Sequence, residues 1–184
     1  MEIVDSGSTD IEARMSALEG HVASFRAQNL IQALMYKYIE AVDQARIEEV
    51  VQCFTPDGSG EFTPFADGFS GHDGIRAFLS AFRGSDAPTP RLAHVVHFPG
   101  GPLLDVTGER ATGQWDWLAT CTIEREKGEL VAAWQLGRYN ADFALTDDGW
   151  KIQHLKTTYY EVFEHLRGWV GVPMVSLGGR DPEL

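Results

Sequence analysis

The chain of 184 residues is poor in several things that commonly announce a function. It has two cysteines, Cys53 and Cys121. A domain of this length with so few is not a disulfide scaffold, and both read as buried free thiols. Basic residues are scarce: 15 Lys and Arg stand against 27 Asp and Glu, for a formal net charge of -12. That balance excludes a broad basic face, so neither nucleic acid nor an anionic membrane is an expected partner. No apolar run approaches the ~20 residues of a membrane-spanning helix. The first residues are acidic and polar with no apolar run, so no signal peptide is read and a cytoplasmic location is expected. No Gly-rich phosphate loop precedes a helix. Gly100-Gly101 lies between prolines and leads into a strand, where the helix-terminus argument for phosphate fails. There is no Ser or Cys nucleophile motif, no internal repeat and no low-complexity segment.

What is present is enough for one domain with a substantial core. Met1 to Ser8 reads as a tail. Ile11, Met15, Leu18, Val22 and Phe25 then recur at spacings of four and three, a helical stripe that shifts to Ile31, Leu34, Met35, Tyr38 and Val42. An N-terminal helical arm therefore runs into the first helix of the fold. Ile47, Val50, Val51 and Phe54 mark a short second helix, ended by Thr55-Pro-Asp-Gly58. Glu61 to Phe65 is a short strand candidate, and Gly71 to Phe82 a third helix. Arg83 to Pro90 reads as a loop.

From Arg91 the pattern changes to strands and tight turns. The strands are Leu92 to Phe98, Leu103 to Val106, Ala111 to Arg125, Leu130 to Leu145 and Trp150 to Tyr160, with Tyr160 to Trp169 read as a terminal helix. Helices first and strands later predict an α+β domain built on an antiparallel meander. The boundaries expected are 1–24 for tail and arm, 25–170 for the domain and 171–184 for an irregular tail. Period-two alternation puts Trp115, Trp117, Ala119 and Cys121 on one face. Both faces are partly apolar, so cover on each side is expected. Two tryptophans two apart fill a core or form a flat wall for a ring-shaped apolar ligand. Ala119 and Gly137 would leave room for one.

Asp43 and His97 stand out. Asp43 ends a helix, where a carboxylate is unfavourable without a partner. His97 opens a strand-turn-strand stretch running to Gly108. A helix-borne carboxylate and a sheet-borne imidazole can meet only in a pocket between the two, and there the carboxylate orients the ring for proton transfer. His94-x-x-His97 is a poor metal site, because a strand points the two rings to opposite faces. No metal and no cofactor is expected.

In order along the chain, several motifs resemble the SnoaL-like branch of the nuclear transport factor 2-like superfamily. They are Tyr38-Ile-Glu-Ala-Val-Asp43, Phe54-Thr-Pro-Asp57-Gly58, Gly71-His-Asp-Gly74-Ile75, His97 to Ala111, Gly137-Arg138-Tyr139-Asn-Ala-Asp142 and Asp148-Gly149-Trp150-Lys-Ile152. The resemblance covers about Phe25 to Trp169. It implies a cone-shaped α+β barrel, a curved sheet wrapped by about three helices around an apolar pocket. Enzymes of this branch include dehydratases and dehydrochlorinases that eliminate water or HCl from ring compounds with a His-Asp pair and no metal. Others isomerise ketosteroids, cyclise polyketides or open epoxides, and many only bind ligands.

Carried over by motif, the resemblance implies a catalytic set of His97, Asp43 and Tyr38. His94 is the rival histidine if Pro99-Gly-Gly-Pro102 is an insertion. The expected pocket wall is His94, Trp115, Trp117, Ala119, Tyr139, Leu155 and Tyr159. The expected activity is a cofactor-independent lyase or isomerase acting on an apolar cyclic small molecule. A non-catalytic binding protein, a polyketide cyclase or an epoxide hydrolase-like use of Arg138 and Asp142 are the alternatives. A homo-oligomer, trimer or dimer, is the expected assembly.

Overall fold

The computed structural model describes residues 6–64, 66–83, 91–125 and 128–165. Helix α1 (Ser6–Asp43) is followed by α2 (Ile47–Gln52), β1 (Phe54–Thr63), β2 (Ala66–Ser70) and α3 (Gly71–Arg83). Then come β3 (Arg91–Pro99), β4 (Leu103–Thr107), β5 (Arg110–Glu124), β6 (Leu130–Thr146) and β7 (Gly149–Glu164). The seven strands form one sheet in the order β2-β1-β7-β6-β5-β3, with β4 also on β5. This is the α+β arrangement expected: a curved, unclosed sheet with helices against one face.

The two stripes on α1 have different fates. Ile31, Met35, Tyr38, Ile39 and Ala41 are buried, whereas Ile11, Met15, Leu18, Val22 and Phe25 stay exposed. Arm and first helix are thus one unbroken α1, and only its second half packs into the core. No helix among the described residues is long and apolar enough to cross a membrane. The helix closes through Ala45, at φ 54, with Arg46 N–H donating to the Ala41 carbonyl at 2.8 Å. That left-handed residue is a position where glycine is usual.

Four expectations are corrected, and β7 adds one irregularity. Phe54 to Gly58 does not stop a helix; it opens β1, which runs parallel to β7, so the sheet is mixed and not a pure meander. Tyr160 to Glu164 continues β7, with Glu161 to Glu164 pairing with Ala133 to Leu136 of β6, so this stretch is not helical; the remainder of that expected helix beyond 165 lies outside the described residues. The Pro99 to Pro102 break does not reverse the chain. β3 and β4 lie in line along β5, and the four steps from Pro99 to Leu103 match three from Trp117 to Gln114. This is a one-residue bulge, pinned by Gly100 N–H to the Asp116 carbonyl at 2.7 Å. A second bulge, in β7, puts Ile152 and Leu155 on the same buried face, against strict alternation. Finally, β5 alternates exposed and buried residues along most of its length, so one face of the sheet is uncovered.

The covered face carries the core. Trp115, Trp117, Ala119 and Cys121 of β5, Tyr139, Ala141 and Phe143 of β6, and Ile152 and Leu155 of β7 are buried against α1, α2 and α3. Cys53 and Cys121 are free and buried, as expected of apolar positions.

Candidate active site

Asp43 leaves the last turn of α1 beside β3, an edge strand of the sheet. An edge strand presents backbone N–H groups with no neighbouring strand to receive them. The Asp43 side chain supplies the acceptor: the His97 backbone N–H donates to Oδ2 at 3.0 Å. The other oxygen, Oδ1, lies 2.6 Å from His97 Nδ1. One carboxylate therefore fixes both the strand and the ring it carries. The His97 and Asp43 side chains are 6% and 15% exposed, so water competes little for this contact. A carboxylate oxygen only accepts, which puts the proton on Nδ1 and leaves Nε2 as the basic atom. The described residues give Nε2 no hydrogen-bond partner.

Aromatic rings enclose the imidazole. Trp117 meets it edge-on at 5.3 Å between centroids, and Tyr139 lies 6.2 Å away. Trp117 and Tyr139 stack at 5.4 Å, and Tyr159 closes on the Trp117 ring at 5.1 Å. Tyr38 stands edge-on to Tyr139 at 6.2 Å and to Phe54 at 5.8 Å.

The three phenols are held protonated. Burial raises Tyr38 and Tyr139 well above the ordinary tyrosine range, and neighbouring phenols and the Asp43 charge add to it. Burial pushes Tyr159 up to about 12. All three are thus hydroxyl donors at neutral pH rather than bases.

The cross-strand register explains the layout. His97 of β3 sits beside Ala119 of β5, which sits beside Gln135 of β6. Trp117, Gly137 and Tyr159 form the adjacent row, and Trp115, Tyr139 and Thr157 the next. Gly137 is needed in its row because a Cβ there would collide with the Trp117 indole and the Thr158 carbonyl. The space expected there for a ligand is therefore filled by Trp117 itself. Ala119 is the small side chain of its row, between His97 and the buried Gln135.

Other expected residues fall elsewhere. His94 is exposed and opens on a groove of about 270 Å³ with Thr120, Thr122, Trp134 and His165, so it is not the inward histidine. The strand direction explains this, since positions three apart face opposite ways. Trp115 packs edge-on against Phe143 at 6.0 Å, and Leu155 is fully buried beside Ala141. Arg138 points outward and is paired with Asp116 at 2.7 Å, away from the buried face.

Two buried polar side chains were not singled out from sequence: Gln135 and Thr157. The period-two face shared by Gln135, Gly137 and Tyr139 was the available signal. The Thr157 hydroxyl and the Trp117 indole nitrogen are buried with no hydrogen-bond partner among the described residues. Among those residues no cluster of three or more His, Cys, Asp or Glu is placed to hold a metal ion.

The family model for the SnoaL-like domain matches residues 23–156. The chain belongs to the SnoaL-like family. Solved structures of this fold superpose on most of the domain. A hexachlorocyclohexane dehydrochlorinase of type 2 shares 15% identity over 84% of this chain and 96% of its own, with a TM-score of 0.66. Its type 3 counterpart from Novosphingobium barchaimii LL02 shares 16% over 83% and 96%, at 0.65. A Novosphingobium aromaticivorans protein carrying the provisional name scytalone dehydratase shares 19% over 80% and 91%, at 0.63. At these identities the likeness carries the fold alone. No curated protein matches the chain. In the SnoaL-like cone, the parallel β1–β7 pair and the β3–β4 bulge are thus features of the sheet that bears the Asp43–His97 contact.

Proposed function

We propose that this SnoaL-like protein is an acid/base enzyme that needs no metal or cofactor, a lyase or isomerase acting on an apolar cyclic small molecule. His97 Nε2 takes a proton from substrate carbon and returns it to the leaving group or to a second carbon. Asp43 holds the ring in the tautomer this requires and, as an anion, stabilises the positive charge that develops on it. Tyr38, protonated and buried near Asp43, is the hydroxyl donor to a substrate oxygen. The observation that carries this reading is the buried imidazole tied through Nδ1 to Asp43, with Nε2 left without a hydrogen-bond partner among the described residues.

The chemistry of the named relatives supports the class, since two are dehydrochlorinases. The ring-lined surroundings support an apolar cyclic substrate. Outward apolar side chains at Leu118, Leu130, Tyr160 and Val162, with the exposed stripe of α1, support a homo-oligomer.

The deciding experiment is His97→Ala assayed against a panel of cyclic alcohols, ketones and halides. Turnover should fall by about 10²-fold or more while ligand binding persists. A protein that binds members of the panel and converts none of them, with His97 intact, is a binding protein of the same fold.

A further inference from the structure

The first half of α1 carries an apolar stripe that its own domain leaves uncovered. Every residue from Asp10 to Ala23 is exposed, and Phe25 is 64% exposed. A lone helix of this length is marginal in water, and helices are normally held by packing an apolar face. Four of the five stripe residues, Ile11, Met15, Leu18 and Val22, precede residue 23, where the family match begins.

The spacing points to the kind of partner that fits. Ile11, Leu18, Phe25 and Gln32 recur every seven residues, and so do Met15, Val22, Asn29 and Tyr36. Two interleaved series of seven form the 3.5-residue repeat by which one helix pairs with another. The second series runs past the arm, where Asn29 is exposed and Tyr36 is 51% exposed. At about 100° per residue, the stripe from Ile11 to Phe25 lies about 150° around α1 from the buried Ile31, Met35, Tyr38, Ile39 and Ala41. It therefore faces away from the sheet that α1 packs on, and that sheet cannot cover it.

We propose that the arm is a dimerisation helix: two copies of this chain pair their α1 helices in parallel and in register along Ile11 to Tyr36. This rests on the homo-oligomer of the preceding section, to which it gives an interface, and is independent of the chemistry at His97. Charge and polarity select the parallel arrangement. There Arg14 of each protomer flanks the seam beside Glu19 of the partner subunit, an opposite-charge contact made twice by symmetry. Arg14 otherwise meets Asp10 at 4.0 Å, both exposed, which competes little. The next flanking place sets His21 beside Arg26 and adds no attraction. Parallel pairing also sets Asn29 against its own copy, where two amides can hydrogen-bond to each other. A polar residue so placed fixes register and two-strandedness at a cost in stability. Antiparallel pairing instead sets Glu19 against Glu19 and Asn29 against Ile11, a like-charge contact and a polar group facing an apolar one. Because the seam faces away from the buried side of α1, the two domains lie on opposite outer sides of the helix pair.

Sedimentation of the full-length protein should show a dimer of twice the 20.4 kDa chain mass. Leu18→Glu combined with Val22→Glu places charge in the seam at exposed positions remote from the core. It should raise the dimer Kd by about 100-fold or more while the near-ultraviolet circular dichroism of the buried tryptophans is kept. Ile11→Cys reads the direction. In a parallel pair the two cysteines lie side by side and join under mild oxidation, whereas in an antiparallel pair they sit at opposite ends. Cys53 and Cys121 are buried and should not interfere. If the glutamate variant loses the core signal, cross-linking of Ile11→Cys decides alone. The proposal is overturned by a wild type that stays monomeric at every concentration, by an assembly of more than two chains, by a dimer that survives both glutamates with its core intact, or by a dimer that Ile11→Cys does not cross-link. A dimer that survives the glutamates is held by another surface and leaves the homo-oligomer standing. A monomer removes both ideas.

Discussion

Asp43→Asn isolates the role assigned to the carboxylate. The substitution keeps the shape of the side chain and one of its two acceptors. The remaining carbonyl oxygen can still receive the His97 backbone N–H, now at 3.0 Å, so β3 stays attached to α1. The other atom becomes an NH₂ group facing Nδ1 across 2.6 Å. Two donors cannot share that contact, so Nδ1 must lose its proton and accept, and the proton moves to Nε2. The ring is then in the wrong tautomer to take a proton from substrate. The contact replaced is charge-assisted and mostly out of water, so about 1.5–3 kcal/mol of preference for the Nδ1–H tautomer is lost before the new bond is counted. Loss of the base and of the charge that stabilises the imidazolium should lower kcat by about 10²–10⁴-fold.

Two measurements are needed together. Long-range ¹H–¹⁵N spectra of the His97 ring read the tautomer directly, and thermal melting reads whether the fold is kept. The expected outcome is a proton on Nε2, a melting point within a few degrees of wild type and a large fall in kcat with little change in KM. Retained turnover with the tautomer inverted would refute His97 as the base. Asp43→Ala is the contrasting case: it orphans the backbone N–H as well, and should cost about 2–4 kcal/mol of stability in addition to activity.

Other outcomes follow from the same geometry. Gly137→Ala should lower stability by about 1–3 kcal/mol in urea titration, because the new methyl must displace the Trp117 indole or the β7 backbone. Ala45→Gly should raise it by about 0.5–1 kcal/mol in the same assay by relieving the left-handed residue that ends α1, with no change at the site. Of the five tyrosines, Tyr38, Tyr139 and Tyr159 should show little phenolate absorbance at pH 11 until the protein unfolds. Because their pKa values are raised in the folded state, the stability they contribute is complete below about pH 10 and falls as pH rises through about 12. Burial pushes both Cys53 and Cys121 up to about 11, so each should resist a thiol reagent at pH 8 in the native state and react on denaturation.

Much of this was legible in the chain. Periodicity alone separated helices from strands, because a stripe of spacing three and four and an alternation of two are different patterns. It put Trp115, Trp117, Ala119 and Cys121 on one face, and these four are buried together. The family motifs gave the cone and pointed to Asp43 and His97. Other features needed the folded chain. The parallel pairing of β1 with β7 joins segments about a hundred residues apart, and no local pattern encodes such a contact. The bulge in β7 set Leu155 and Ile152 on one face, since an inserted residue shifts every later side chain by one. The exclusion of His94 turned on which face of β3 meets α1. Whether Gly137 gives space to a ligand or to Trp117 was decided by the rotamer of a side chain on a neighbouring strand.

The sequence by itself thus determined most of the elements and the candidate chemistry, because these depend on residue type and spacing along one segment. Only the tertiary structure decided that a single carboxylate holds both the backbone and the ring of His97, and that Trp117 is pinned between Tyr139, Tyr159 and Gly137. Those facts depend on how α1 and the strands cross in space. Hydrogen bonds have a reach of about 3 Å, far finer than any pattern of sequence spacing resolves.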